Sequence, residues 1–116
     1  MPGGLALWLA LVCLGTPAQA LELIMFQKPG CPWCEAWDEE VGIAYPNTDE
    51  ARQAPLRRVD ITDEIPEDLK EIKAVNFTPT FVLFDSGREI GRISGYPGAE
   101  FFWFLLDEIL AKANQK

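Results

Sequence analysis

Two cysteines three positions apart, Cys31 and Cys34 with Pro32 and Trp33 between them, stand where a strand-like run gives way to a helix-like one. Upstream, Leu23-Ile24-Met25-Phe26 is apolar and suits a strand. Downstream, Glu35 to Val41 is acidic with helical spacing. A pair placed at a helix start can close a small disulfide ring, or present one activated thiolate to another protein's disulfide. A second, separate signal answers it. Thr78-Pro79-Thr80 opens another strand-like run, where a proline removes a ladder donor and is normally out of place. Together the two features point to thiol–disulfide exchange.

Cysteine usage sharpens this reading once the N-terminus is set aside. Leu5 to Leu14 is an almost unbroken apolar run, followed by Gly15-Thr16-Pro17 and then Ala18-Gln19-Ala20. That pattern is expected to be a cleaved signal peptide over residues 1–20, with a small-residue cleavage site and a run too short for a comfortable membrane span. No Lys or Arg precedes the run, which is atypical, and an uncleaved anchor is the alternative. Cys13 lies inside the run and is expected to leave with it. The mature domain, 21–116, then holds only Cys31 and Cys34. A bridge between them would close too short a loop to constrain the unfolded chain much, so the pair is placed for reactivity rather than as a staple.

Composition excludes other classes. The formal net charge is −8, and residues 1–20 carry no charged side chain, so the mature domain keeps all of it. Nucleic acid is a poor partner for such a chain, because binding it requires Lys and Arg against phosphates. Stable insertion in a membrane after cleavage is not expected either. The chain has no histidine, so with two thiols a closed four-ligand zinc site would need acids or a second chain. Neither a metal nor a cofactor is expected. A Cu(I) site on the two thiols is the one metal alternative.

Along the mature chain, 21–27 reads as a strand covered on both faces, broken by Lys28-Pro29-Gly30. Pro32 falls in the first turn of a helix running to Val41 or Gly42, with Trp33, Trp37 and Val41 along one side. Residues 43–55 read as a loop with a short helical piece, and 56–61 as a second strand. Pro66 should start a helix over 67–75. Strands over 80–84 and 89–93 form a hairpin around Asp85-Ser86-Gly87-Arg88, with Gly87 left-handed. After Gly95-Tyr96-Pro97-Gly98 comes a last helix over 99–112. It should turn Phe102, Leu105, Leu106, Ile109 and Leu110 to the sheet, leaving Phe104 opposite and Phe101 and Trp103 on the flanks. The order β-α-β-α-β-β-α makes the first two strands parallel and the final hairpin antiparallel. The expected class is therefore α/β: a mixed four-stranded sheet covered by helices on both faces.

On these residues the chain resembles the thioredoxin superfamily over its whole mature length. More narrowly, Phe26 to Glu35, Pro55 to Asp60, Phe77 to Leu83, Gly95 to Gly98 and Phe101-Phe102-Trp103 resemble the SoxS-type periplasmic thioredoxins encoded with bacterial sulfur-oxidation (Sox) systems.

The helix start makes Cys31 the expected attacking thiol. Unpaired N–H groups and the helix dipole there stabilise a thiolate. Cys34, one turn on and less exposed, would resolve the mixed disulfide. The resemblance implies further that Pro79 is the cis-proline facing the cysteines, that Thr78 offers its backbone to an extended substrate, and that Pro32 and Trp33 contact substrate. It also exposes a departure: thioredoxin's buried aspartate falls at about Met25 here, leaving exposed Glu35 or Lys28 as weak stand-ins for proton transfer. The implied activity is a periplasmic reductase acting, as a monomer, on a protein disulfide such as one on the Sox carrier protein, and recycled by a membrane thiol donor. A disulfide-introducing oxidase or isomerase, a glutaredoxin-like protein and a Cu(I) metallochaperone are the alternatives. Arg57 and Arg58, a basic pair in an acidic chain, read as strand-end solubility features.

Overall fold

The computed structural model describes residues 21–115. The expected signal segment, with Cys13, lies outside the described residues. Four strands form one mixed sheet in the order β2-β1-β3-β4: β1 Leu21–Gln27, β2 Leu56–Asp60, β3 Thr80–Asp85 and β4 Arg88–Ser94. The central strands are those whose sequences are apolar on both faces. In β1, Leu23 to Phe26 are all buried, and β3 is buried from Thr80 to Phe84. β2 runs parallel to β1, while β3 and β4 are antiparallel neighbours.

Between β1 and β2 the chain forms helix α1, Pro32–Trp37, which continues as a wider π-turn over Asp38–Gly42. A 3₁₀ turn at Tyr45–Asn47 and the short helix α2, Asp49–Gln53, follow. Thr48 caps α2 by accepting from the Ala51 N–H at 3.1 Å. Tyr45 is buried and donates its hydroxyl to the Ala54 carbonyl at 2.7 Å, fixing this connection under the sheet edge. The hairpin is tighter than the sequence suggests. Asp85 pairs with Arg88, so only Ser86 and Gly87 form the loop, both with positive φ.

Helix α3, Ala99–Ala113, packs with α1 on one face of the sheet. Phe102, Leu106 and Leu110 are buried there beside Trp37, Val41, Met25, Phe81 and Leu83, in one cluster that also contains both cysteines. The expected helix faces hold: Leu105 and Ile109 are half-buried, Trp103 stacks on Tyr45 at 5.9 Å, and Phe101 and Phe104 are exposed. Trp33 does not share the buried side of Trp37 and Val41.

The α/β class and the mixed sheet are as expected, but the helix expected over 67–75 is absent. Only one 3₁₀ turn forms, Glu67–Leu69, and its neighbours make i→i+3 bonds such as Leu69 N–H to Pro66 O and Ile72 N–H to Leu69 O. Two tertiary contacts explain it. Arg92 donates to the Lys73 and Ala74 carbonyls at 3.2 and 3.1 Å, pinning the end of this segment to β4. Meanwhile Ile65, Leu69, Ile72 and Val75 all reach the second face of the sheet, against Ile24, Phe26, Val59, Val82 and Phe84. That face is thus covered by a strap of turns instead of a helix.

Candidate active site

The strand-to-helix junction sets the site. Gly30, at φ 73°, takes a left-handed conformation that glycine adopts freely, turning the chain from β1 into α1. Cys31 is the N-cap of α1 and Pro32 its first helical residue. Cys31 and Cys34 form a disulfide with their Cα atoms 5.2 Å apart. The Cys34 N–H donates to both the Cys31 sulfur and the Cys31 carbonyl, each at 3.1 Å. The Cys31 sulfur therefore already lies where a helix-capping anion would sit.

Burial does not separate the two cysteines: Cys31 is 4% and Cys34 5% exposed. The expectation that Cys34 is the more hidden is not met in this disulfide-bonded state, where both sulfurs share one cluster. Position, not burial, distinguishes them, because only Cys31 caps the helix.

The β1–β3 register pairs Phe26 with Thr80. The antiparallel pairing thereby brings Thr78 and Pro79 to the end of the sheet from which β1 leads into Cys31. The Thr78–Pro79 peptide is cis. Pro79 is buried and its carbonyl accepts from the Gly95 N–H at 2.8 Å, which ties the start of the α3 turn to the same end. Thr78 makes no backbone hydrogen bond to the described residues. Around this end, Pro32 is exposed, Trp33 is 62% exposed, and Phe77 is 64% exposed. Phe77 adds to this surface a residue that its sequence context did not single out. Its signal was its place directly before Thr78-Pro79, and nothing in its apolar character alone distinguished it from a core residue.

Met25 is fully buried in the cluster that holds Cys34. Glu35 and Lys28, the expected stand-ins for a buried acid, are exposed. A polar side chain that does reach Met25 is that of Arg58, its register partner on β2. Arg58 donates to the Met25 sulfur at 3.7 Å and to Gln27 at 2.8 Å, pairs with Asp38 at 2.9 Å, and lies over the Trp37 ring at 5.8 Å. Arg57 makes a bidentate pair with Asp68, both bonds 2.9 Å, and reaches Glu22 at 3.1 Å. That contact holds the Asp68 carboxyl below the usual carboxylate range. The basic pair thus anchors α1 and the strap, which a solubility role would not require. Tyr96 donates to Glu40 at 2.6 Å, and burial together with this acceptor raises its pKa.

Among the described residues no group of three or more His, Cys, Asp or Glu is arranged to hold a metal, and no helix is long and apolar enough to cross a membrane.

A family model described as a thioredoxin-like domain matches residues 17–110. The chain belongs to the thioredoxin-like family. Among solved structures it is similar to the periplasmic thioredoxin SoxS from Paracoccus pantotrophus in its reduced form. Identity is 45%, the match covers 81% of this chain and 99% of that one, and the TM-score is 0.76. A thioredoxin-fold protein from Helicobacter pylori matches at 25% identity over 84% of this chain and 74% of that one, with a TM-score of 0.64. A malaria parasite thioredoxin-2, at 16% identity and TM-score 0.61 over 80% and 86%, shares the fold. No curated protein sequence matches the chain. With this fold and its redox-active pair, the thioredoxin-like chain is a thiol–disulfide oxidoreductase close to SoxS.

Proposed function

We propose that the chain is an exported reductase of protein disulfides, with Cys31 as nucleophile and Cys34 as resolving thiol. The Cys31 thiolate attacks one sulfur of a substrate disulfide. A Cys31–substrate disulfide forms and the other substrate sulfur leaves as a thiolate, taking up a proton. Cys34, once deprotonated, attacks the Cys31 sulfur, releasing the second substrate thiolate and closing the Cys31–Cys34 disulfide. Two electrons pass to the substrate in each cycle. They are restored by a dithiol donor in the membrane, since the periplasm has no reducing buffer.

The observation that carries this reading is the capped position of the Cys31 sulfur on the Cys34 N–H. Thr78 and Pro79 serve as the edge on which an extended substrate segment lies, its backbone bonding that of Thr78. Pro32 and Trp33 contact the segment from the α1 side. The 45% identity to a periplasmic thioredoxin supports action in the periplasm. By the same likeness, the substrate is a cysteine of the sulfur-oxidation machinery, the Sox carrier protein foremost, kept free of mixed disulfides. The chain works as a monomer.

The test uses purified Cys34→Ser and Cys31→Ser with a peptide disulfide of defined mass. A stable peptide adduct is expected on Cys31 in the first variant and none in the second. Adducts of equal yield on either cysteine would overturn the division of roles.

A further inference from the structure

The strap that replaces the expected helix closes imperfectly over the sheet. Beneath it lies a cavity of about 520 Å³ lined by Phe26, Ile61, Ile65, Leu69, Ile72 and Val75, with Ala74 and two lysines, Lys70 and Lys73, completing the wall. Its size and largely apolar lining match those of small-molecule sites, which span roughly 300–1,000 Å³. It lies on the sheet face opposite α1 and α3, away from the cluster that contains the disulfide.

Charge around it is segregated. The same stretch of chain carries Asp63, Glu64, Glu67, Asp68 and Glu71, yet none of these carboxylates lines the cavity. Both charged side chains that do line it are ammonium groups. Lys70 is held only by an exposed i,i+3 pair with Glu67 at 3.3 Å, a contact of small worth that a better acceptor can replace. Lys73 makes no ion pair with the described residues. The carbonyls of Lys73 and Ala74 are already engaged by Arg92. The wall is largely hydrocarbon, and the charged groups on it are two cationic donors.

We propose that this cavity binds a small amphiphilic anion: an alkyl carboxylate whose tail fills the apolar space and whose head meets Lys70 and Lys73. On a scale of about 30 Å³ for each water-sized group, a ten-carbon chain needs about 300 Å³ and fits inside the cavity. At a net charge of −8 the chain repels anions at long range. Selectivity for the head group therefore has to come from the two lysines, and they are the decisive residues.

The probe is sodium decanoate below its micelle concentration, titrated into the folded, disulfide-intact chain by calorimetry and by amide NMR. Decyltrimethylammonium serves as the cation with the same tail. The expected result is one decanoate per chain, with amide shifts confined to Phe26 and residues 61–75. The cation should bind at least tenfold more weakly. Lys70→Gln with Lys73→Gln, both at exposed positions, should weaken decanoate tenfold while leaving the thermal melt and disulfide exchange unchanged. Ala74→Leu, which fills the wall, should weaken both amphiphiles. Equal binding of anion and cation would overturn the proposal. So would unchanged affinity in the lysine double variant, shifts centred on the exposed Phe101 and Phe104, or binding only once micelles form.

Discussion

Replacing Cys34 with serine leaves its backbone N–H in place and isolates the Cys31 thiol, so the variant reads the capping contribution directly. In the structure that N–H lies 3.1 Å from the Cys31 sulfur and is shared with the Cys31 carbonyl. A hydrogen bond to a charged acceptor is worth about 1.5–3 kcal/mol, and sharing favours the lower half of that range. The α1 dipole adds about 0.3–1 kcal/mol. Together these favour the thiolate by roughly 2–3 kcal/mol, so the Cys31 thiol should ionise below the free thiol value of about 8.5. Burial of Cys31 among apolar side chains opposes this, and the hydrogen bond is expected to win because it forms at the sulfur itself. The assay is the pH dependence of iodoacetamide alkylation, with the modified residue mapped by mass spectrometry. In the reduced natural chain Cys31 should be alkylated first. A pKa at or above about 8.5, or alkylation that favours Cys34, would refute the capping argument.

Three further outcomes follow from packing and charge. A Cβ added at Gly91 on β4 would sit 2.8 Å from Ile109 Cγ2, and a β-branched helix residue has little rotamer freedom to yield. Gly91→Ala should therefore cost about 1–2 kcal/mol in urea unfolding, where overpacking outweighs the usual entropic gain. Burial and the neighbouring Glu50 raise the Asp107 pKa from 3.8 to about 6. The folded state thus holds that proton more tightly than the unfolded state, and stability from this group falls as pH rises from 3.8 through about 6. Asp107→Asn should accordingly melt higher than the natural chain at pH 7, with the gain vanishing below pH 3.8. Phe104, 56% exposed, lies outside the core, and Phe104→Ser should shift stability by no more than about 0.5 kcal/mol in the same urea assay.

Much of the fold was legible because it rests on local periodicity. The continuous apolar runs of β1 and β3 mark strands covered on both faces, and the spacing of Phe102, Leu106 and Leu110 gives the buried stripe of α3. The cysteine pair was legible because its spacing and its place between strand and helix are both local. The segment 67–75 was misread for a matching reason. Leu69, Ile72 and Val75 have helical spacing, but the segment packs through contacts distant in sequence, against the second face of the sheet and with Arg92 on the Lys73 and Ala74 carbonyls. Arg58 was equally opaque. Its engagement with Asp38, Gln27, Met25 and Trp37 depends on the β1–β2 register, which no single stretch of sequence encodes. Phe77, named in the sequence only as part of the run into Thr78-Pro79, is exposed at the surface.

The reductive direction of exchange is tested most directly by the equilibrium reduction potential of the Cys31–Cys34 couple, measured on the purified domain against dithiothreitol. A value near that of thioredoxin, about −270 mV, is expected, whereas a value near −120 mV would make the chain an oxidant and contradict a reductive role.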